Sequence, residues 1–251
     1  SMVVSALAAS LAFRPVDTKA DDAIAEQETV IESKKAYAAP IIGGVIDSNL
    51  WGAPAISVTK DSYNAFLYRY NATPEDSNMD IYTVWDDQYL YLGVVSDETD
   101  VRGSKDSWTG DGLQFKISAG KTMGADAKNI YFTLGEDGVS ITAGDSCKDY
   151  NKGIVVENGK MYASIAIPHA DLGRTAADLK DGATYAFSIL RISATSENDY
   201  AGWLAWGAFF GVDHEYNAGN LCDNVIVLRE KLAAQATVIE SKRATMAPVI
   251  G

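Results

Sequence analysis

Ile81-Tyr82-Thr83-Val84-Trp85-Asp86-Asp87-Gln88-Tyr89-Leu90-Tyr91-Leu92-Gly93-Val94 decides the fold class. Ile81, Thr83 and Trp85 alternate with Tyr82 and Val84, and Leu90, Leu92 and Val94 repeat the pattern after Asp86-Asp87. A period of two sends successive side chains to opposite faces of an extended chain, so each run reads as a strand with one buried side. Two such runs joined by turn-forming residues predict a hairpin. Working outward, the period of two holds from Ile56 onward, and further alternating or apolar runs lie at 64–70, 113–117, 130–134, 139–142, 154–157, 160–167, 184–192, 204–210 and 224–228. Glu136-Asp137-Gly138, Glu157-Asn158-Gly159 and Asp181-Gly182 separate several of them. Asn158-Gly159 is the strongest turn signal, because a type I′ turn needs two positive φ angles that Asn and Gly tolerate. Helix signals are confined to Pro168-His169-Ala170-Asp171-Leu172, followed by Gly173 as a stop, and a short piece at 175–180. Many short strands with very little helix predict an all-β fold, an antiparallel, jelly-roll-like β-sandwich.

The chain is acidic, with a formal net charge of −13. Such a field repels phosphate, so nucleic acid and anionic membrane surfaces are excluded as partners, and neutral ligands or cations are favoured. Residues 3–13 form an apolar run too short to span a bilayer. It reads equally as part of a signal-peptide apolar region or as an amphipathic helix, and in neither case as a membrane insertion. Residues 1–27 are read as an N-terminal extension or linker. Two cysteines, Cys147 and Cys222, without a C-x-x-C pattern give no support to zinc or thioredoxin-type chemistry, and leave both a disulfide and two packed thiols open.

The sequence also repeats itself. Residues 27–43 (QETVIESKKAYAAPIIG) return as residues 235–251 (QATVIESKRATMAPVIG), with 12 of 17 positions identical at an offset of 235 − 27 = 208 residues. This predicts one sandwich over residues 28–231 and, at 232–251, the start of a following repeat or a linker. In the first copy, residues 29–34 are expected to form the first strand. Serial modules gain avidity from repetition, which favours binding over catalysis. Neighbouring modules of the same chain are expected partners, and the second copy offers a route to self-association.

Several segments resemble family 9 carbohydrate-binding modules. Residues 39–51 (APIIGGVIDSNLW) resemble the family's opening "P-x-I-D-G-x-I-D-x-x-W", and 84–94 its "W-D-D-x-Y-L-Y" hairpin. Ser107-Trp108-Thr109-Gly110-Asp111-Gly112-Leu113-Gln114-Phe115 resembles "W-x-x-D-s-v-E-i-f", residues 166–173 resemble "a-I-P-w-x-x-L-G", and 224–228 the closing "g-x-i-x-L". The resemblance runs in order over 29–230 and is more specific for the fold than for the ligand. It implies a non-catalytic module, extracellular or at the cell surface, that takes a polysaccharide or oligosaccharide between two tryptophans, with structural calcium. By motif position Trp108 is the first tryptophan, and Gln114 stands where the family carries an acidic residue. The pleat that buries Leu113, Phe115 and Ile117 puts Gln114 and Lys116 on the opposite face. The second tryptophan falls to Trp203 or Trp206, which a spacing of three sends to opposite faces; the family's pattern favours Trp206, with Asn198 and His214 as polar neighbours. The family's arginine on the following strand has no counterpart within 129–134. Trp51 and Trp85 are expected in the core.

For calcium, the candidates are Asp47, Asp97, Glu98 and Asp100, oxygen donors of the kind a hard cation takes, although no D-x-D-x-D-G loop is present. The same sandwich is similar to DOMON-type domains, which implies an alternative as a haem-binding electron-transfer module using Met79 or Met161 with a histidine or lysine. A second alternative is a structural or adhesive surface-layer or scaffold repeat without a sugar site. No G-x-S-x-G, P-loop, G-x-G-x-x-G or H-E-x-x-H motif occurs, and the pair Asp106 and Asp111 is explained by the tryptophan loop motif, so an enzyme is not expected.

Overall fold

The structure, a computed structural model, describes residues 29–69, 77–106, 108–196, 199–207 and 223–232. The terminal extension, most of the 232–251 segment, Asn198, His214 and Cys222 lie outside the described residues. The strands are β1 (Val30–Lys35), β2 (Ile56–Thr59), β3 (Ala65–Arg69), β4 (Asn78–Trp85), β5 (Tyr89–Asp97), β6 (Gly112–Ala119) and β7 (Lys128–Leu134). They continue as β8 (Ile141–Ala143), β9 (Lys152–Glu157), β10 (Lys160–Pro168), β11 (Thr184–Ser196), β12 (Asp199–Trp206) and β13 (Asn224–Leu232). One helical turn, α1 (Ser48–Trp51), and 3-10 turns at Asp145–Cys147, His169–Leu172 and Ala176–Asp178 complete the described elements. Asn158 and Gly159 both have positive φ, at 54° and 74°, as the β9–β10 hairpin requires. β12 closes at Trp206, where Gly207 turns at φ 96° and donates its N–H to the Asn64 carbonyl at 2.9 Å; positions 208–210 of the expected run lie outside the described residues.

The strands form one continuous sheet in the order β8-β7-β6-β11-β13-β1-β4-β5-β10-β9, with β12 and β3 extending from β11 and β2 pairing with β4. Both halves put their apolar faces into one core. Leu113, Phe115, Ile117, Phe132, Phe187 and Trp206 from one half meet Met79, Ile81, Leu90, Leu92, Met161 and Ile165 from the other. The sandwich is therefore one sheet doubled over. The antiparallel expectation fails at one strand: β1 is parallel to β13 and to β4, and it joins the two halves. Here Ile31 and Ser33 are buried, and the Ser33 and Thr83 hydroxyls are 3.0 Å apart.

Trp85 secures this seam. Its ring is wholly buried, its indole N–H donates to the Arg229 carbonyl on β13 at 3.1 Å, and the Lys35 ammonium lies 5.0 Å from its ring centroid. The Asp86 carboxylate shapes the following turn by accepting from the Gln88 and Tyr89 amides, each at 2.8 Å. His169 packs beneath, with Nε2 donating to the Asp86 carbonyl at 3.0 Å and Nδ1 therefore accepting from the Tyr185 hydroxyl at 2.7 Å. Burial pulls this imidazole below its ordinary pKa, which keeps it neutral. Trp51 is buried on the outer face of the β4–β5–β10 layer with Val84, Tyr91 and Ala166. Gly93 makes room for it, since a Cβ there would lie 3.2 Å from the Trp51 ring.

Across the core, Arg191 of β11 reaches the β5 end. It donates to Ser96 Oγ at 3.0 Å and Ser193 Oγ at 2.7 Å, and pairs with Glu98. The two side chains are only 3% and 7% exposed. Removing one partner of a buried pair strands the other charge, whereas replacing both with apolar groups is often neutral. Arg191→Met is accordingly expected to lower the unfolding free energy by about 3–5 kcal/mol. Adding Glu98→Leu should return most of that loss, and chemical denaturation of both variants checks it.

Candidate functional site

Strands β6 and β7 pair so that Gln114 lies opposite Tyr131 and Lys116 opposite Asn129. Leu113, Phe115 and Ile117 on β6, and Ile130, Phe132 and Leu134 on β7, are buried. The pleat therefore carries Gln114, Lys116, Asn129 and Tyr131 to the outer face. Trp108, from the loop before β6, completes a shallow cleft of about 300 Å³ lined by Trp108, Gln114, Asn129 and Tyr131. Trp108 is 50% exposed. Gln114 Nε2 donates to Asn129 Oδ1 at 3.1 Å, which leaves Gln114 Oε1 as an acceptor and Asn129 Nδ2 as a donor toward the cleft. Tyr131 is backed by Gly144, where a Cβ would sit 2.5 Å from the ring; only glycine lets β8 lie against it.

The loop that presents Trp108 is held at its base by Asp111. This buried carboxylate accepts from the Arg102 amide at 2.6 Å and from the Ala194 amide on β11 at 2.8 Å. The Asp111 backbone bonds Arg102 and Leu134, and the Ser104 and Thr109 hydroxyls bond each other. Gly103 passes so close to the Gly135 carbonyl that a Cβ would overlap it at 1.7 Å. Asp111 is therefore a buttress, which leaves no role for it as half of a glycosidase pair with Asp106.

The tryptophan assignment needs correction. Trp206 pairs with Ile189, which pairs with Phe115, so its side chain enters the core, where it is 0% exposed and packs edge-on to Phe187. It cannot stack on a ligand from there. Trp203 pairs with Ile192, which pairs with Gly112, and so shares the outer face with Gln114. It is nevertheless only 8% exposed, stacked on Tyr68 with centroids 4.3 Å apart, in a cluster with Leu190, Ile192 and Ala205. The structure thus brings Trp108 and Gln114 of the sequence reading into one cleft, puts Lys116 on the same sheet face opposite Asn129, and separates Trp206 from them. Asn129 and Tyr131 were missed, although alternation along residues 128–134 marks them as the polar side of β7. An arginine does occur near this end of the fold, but Arg191 points into the core and serves Glu98.

The calcium donors are not gathered. Asp47 caps α1 by accepting the Asn49 amide at 2.8 Å. Asp97 takes Lys160 at 2.8 Å and an Asn78 amide at 2.7 Å, Glu98 takes Arg191, and Asp100 takes Arg102. The hydrogen bond from Lys160 holds Asp97 below the usual carboxylate range. Three of the four are bound to cationic side chains and the fourth to a helix cap, so this donor set does not fit a hard cation. No group of three His, Cys, Asp or Glu among the described residues is placed to hold a metal. Met79 and Met161 are wholly buried in the core, and both His169 ring nitrogens are engaged, which removes the described haem-ligand pairs. Cys147 is buried against the Tyr131 and Gly144 carbonyls, and burial pushes its thiol up.

With the geometry in place, comparison identifies the class: this is the fold of family 9 carbohydrate-binding modules. One similar structure is a carbohydrate-binding module of family 9 from Caldicellulosiruptor kristjanssonii in complex with cellotriose, at a TM-score of 0.55 and 15% identity, covering 88% of this chain and 100% of that one. A second, a family 9 module from the same organism in complex with glucose, matches at a TM-score of 0.50 and 13% identity, covering 80% and 96%. No protein-family model and no curated protein matches the sequence. No helix among the described residues is long and apolar enough to cross a membrane.

Asp111 gives this site a pH dependence. Burial pushes its carboxyl from 3.8 up to about 7, and nearby Glu98 adds to the rise, against the two backbone N–H bonds and Arg191. A carboxyl raised in the folded state stabilises the fold most at low pH and loses that contribution as pH climbs from its unfolded value through its folded one. Between about pH 4 and 7, wild-type unfolding free energy should therefore contain a falling component that Asp111→Asn lacks. Denaturant titrations across that window measure it, and parallel pH profiles for the two proteins would contradict the assignment.

Proposed function

We propose that this chain is a non-catalytic carbohydrate-binding module that holds a saccharide against Trp108. The observation that carries the reading is a half-exposed indole lining one cleft with two amides and a phenol of the outer sheet face. A pyranose offers apolar C–H faces that stack on an aromatic ring, and a hydroxyl rim that needs fixed donors and acceptors. Trp108 supplies the ring, Gln114 Oε1 and Asn129 Nδ2 supply one acceptor and one donor, and the Tyr131 hydroxyl and Lys116 extend the polar rim. Among the described residues stacking comes from one side, because Trp206 is in the core and Trp203 is covered by its own cluster. The net charge of −13 suits a neutral ligand. The ligands named for the similar structures, cellotriose and glucose, are the first to test. The module's setting is outside the cell or at its surface, as one unit of a multi-modular protein, a reading supported by the duplicated segment.

Titration with cellotriose is expected to change tryptophan fluorescence in the wild type. Trp108→Ala should weaken binding by about 1–3 kcal/mol, the usual cost of truncating an aromatic anchor, with the melting temperature unchanged. Should Trp108→Ala unfold the protein, the ring is structural. Should neither cellotriose, glucose nor a wider glycan panel bind, the chain is a structural or adhesive repeat that keeps the sandwich without the sugar site.

A further inference from the structure

β1 and the duplicated segment carry the same six residues, Thr-Val-Ile-Glu-Ser-Lys, at 29–34 and 237–242. The structure shows what these residues do in the first copy. Thr29, Ile31, Ser33 and Pro40 are buried, and all four recur as Thr237, Ile239, Ser241 and Pro248. Glu32 pairs with Arg229 at 2.8 Å and recurs as Glu240. The Ala36 amide donates to the Trp85 carbonyl at 2.7 Å, and Ala36 recurs in sequence as Ala244. Gly43, at φ 78°, would bring an added Cβ within 3.3 Å of Gly153 and donates its N–H to Ser164 at 2.8 Å; it recurs in sequence as Gly251. The described positions that differ tell the same story. Tyr37, Ala38 and Ile41 are exposed, and Lys35, which pairs with Asp87, becomes Arg243 with its charge kept. Every buried position of the first copy is thus kept in the second, and the described positions that differ are exposed or keep their charge, while the exposed Lys34 and Ala39 are identical as well.

We infer that residues 237–251 of one molecule can occupy the β1 slot of a second copy of this chain, exchanging strands between molecules. The segment cannot take that slot in its own molecule. β1 runs parallel to β13, with Val30 opposite Val225 and Lys35 opposite Leu232. A following strand in the same register must return along the whole of β13, and such a crossover needs a dozen or more residues. Only residues 233–237 separate Leu232 from Val238. Addition beside β1, in place of substitution for it, is also disfavoured: parallel in-register pairing would set Glu240 against Glu32 and Lys242 against Lys34, like charges directly opposite. The slot can be opened. β1 pairs with β13 along its length but with β4 only at Lys34 and Lys35, and a cleft of about 600 Å³ flanks its Val30 to Glu32 portion. Exchange trades one set of contacts for a matching set, so concentration decides the outcome, and the tethered resident strand wins in dilute solution. A contact made this way is head-to-tail and generates rings or open chains.

The inference stands independently of the saccharide site, and two full-length variants test it. Ile31→Asp spoils the resident strand, and Ile239→Asp spoils the visiting one. Sedimentation velocity from micromolar to millimolar protein is expected to show head-to-tail oligomers for Ile31→Asp, at least a doubling of weight-average mass, and monomers for Ile239→Asp. The double variant should lose the oligomers, and a synthetic peptide of residues 235–251 should cap those of Ile31→Asp. If Ile31→Asp is unfolded instead, that peptide should restore its strand signal by circular dichroism. A folded monomeric Ile31→Asp, oligomers that persist in the double variant, or an unfolded Ile31→Asp that the peptide leaves unfolded would each overturn the proposal.

Discussion

A six-residue strand holds the two halves of this sandwich in one sheet. β1 lies between β13 and β4, parallel to both, and everything on one side of it belongs to the site-bearing half. Its hold does not rest on hydrogen bonds alone. Ile31 enters the core, Ser33 meets Thr83, and Lys35 sits over Trp85 while pairing with Asp87. Trp85 in turn ties β4 to β13 through Arg229. Parallel pairing sets this strand beside β13, far from it in sequence.

At the far end of the core the halves are joined by charge. Arg191 crosses from β11 to Ser96 and Glu98, and Asp111 sits within the same electrostatic neighbourhood while pinning the Trp108 loop to β11. Buried charge seldom adds net stability over apolar packing, but an unmatched partner is costly, so such a group narrows the arrangements a loop can take. The loop emerging from Asp111 places one large ring beside a polar sheet face, and for the proposed ligand this restriction would matter, because an aromatic platform binds well only if its position is fixed before the ligand arrives. Among the described residues the cleft is shallow and carries one exposed indole, which for the proposed saccharide ligand suits modest affinity multiplied by repetition better than a single tight site.

The parts of the fold legible in the sequence are those set by local rules. The Trp85–Asp86 turn, the Asn158-Gly159 hairpin and the short 3-10 turn closed by Gly173 follow from periodicity and turn chemistry, and so does the outward direction of Gln114 and Lys116. What failed was non-local. A spacing of three fixes that Trp203 and Trp206 face opposite ways, but only the register of β11 against β6 says which of them enters the core. The acidic run Asp97, Glu98 and Asp100 looks like a cation site until Lys160, Arg191 and Arg102 are brought to it from other elements or a neighbouring turn. Parallel β1 was likewise hidden, since nothing in residues 30–35 records its partner 195 positions away (225 − 30). Asn129 and Tyr131 were legible from alternation but carry no motif to draw attention to them.

The five tryptophans, at 51, 85, 108, 203 and 206, allow the central claim to be tested with one spectrum. In a two-dimensional amide and indole NMR titration with cellotriose, the Trp108 indole and the side-chain amides of Gln114 and Asn129 are expected to shift together with one saturating dissociation constant. The indoles of Trp51, Trp85 and Trp206, which are buried, should stay in place. Saturating shifts centred on any other surface, with Trp108 unmoved, would contradict it.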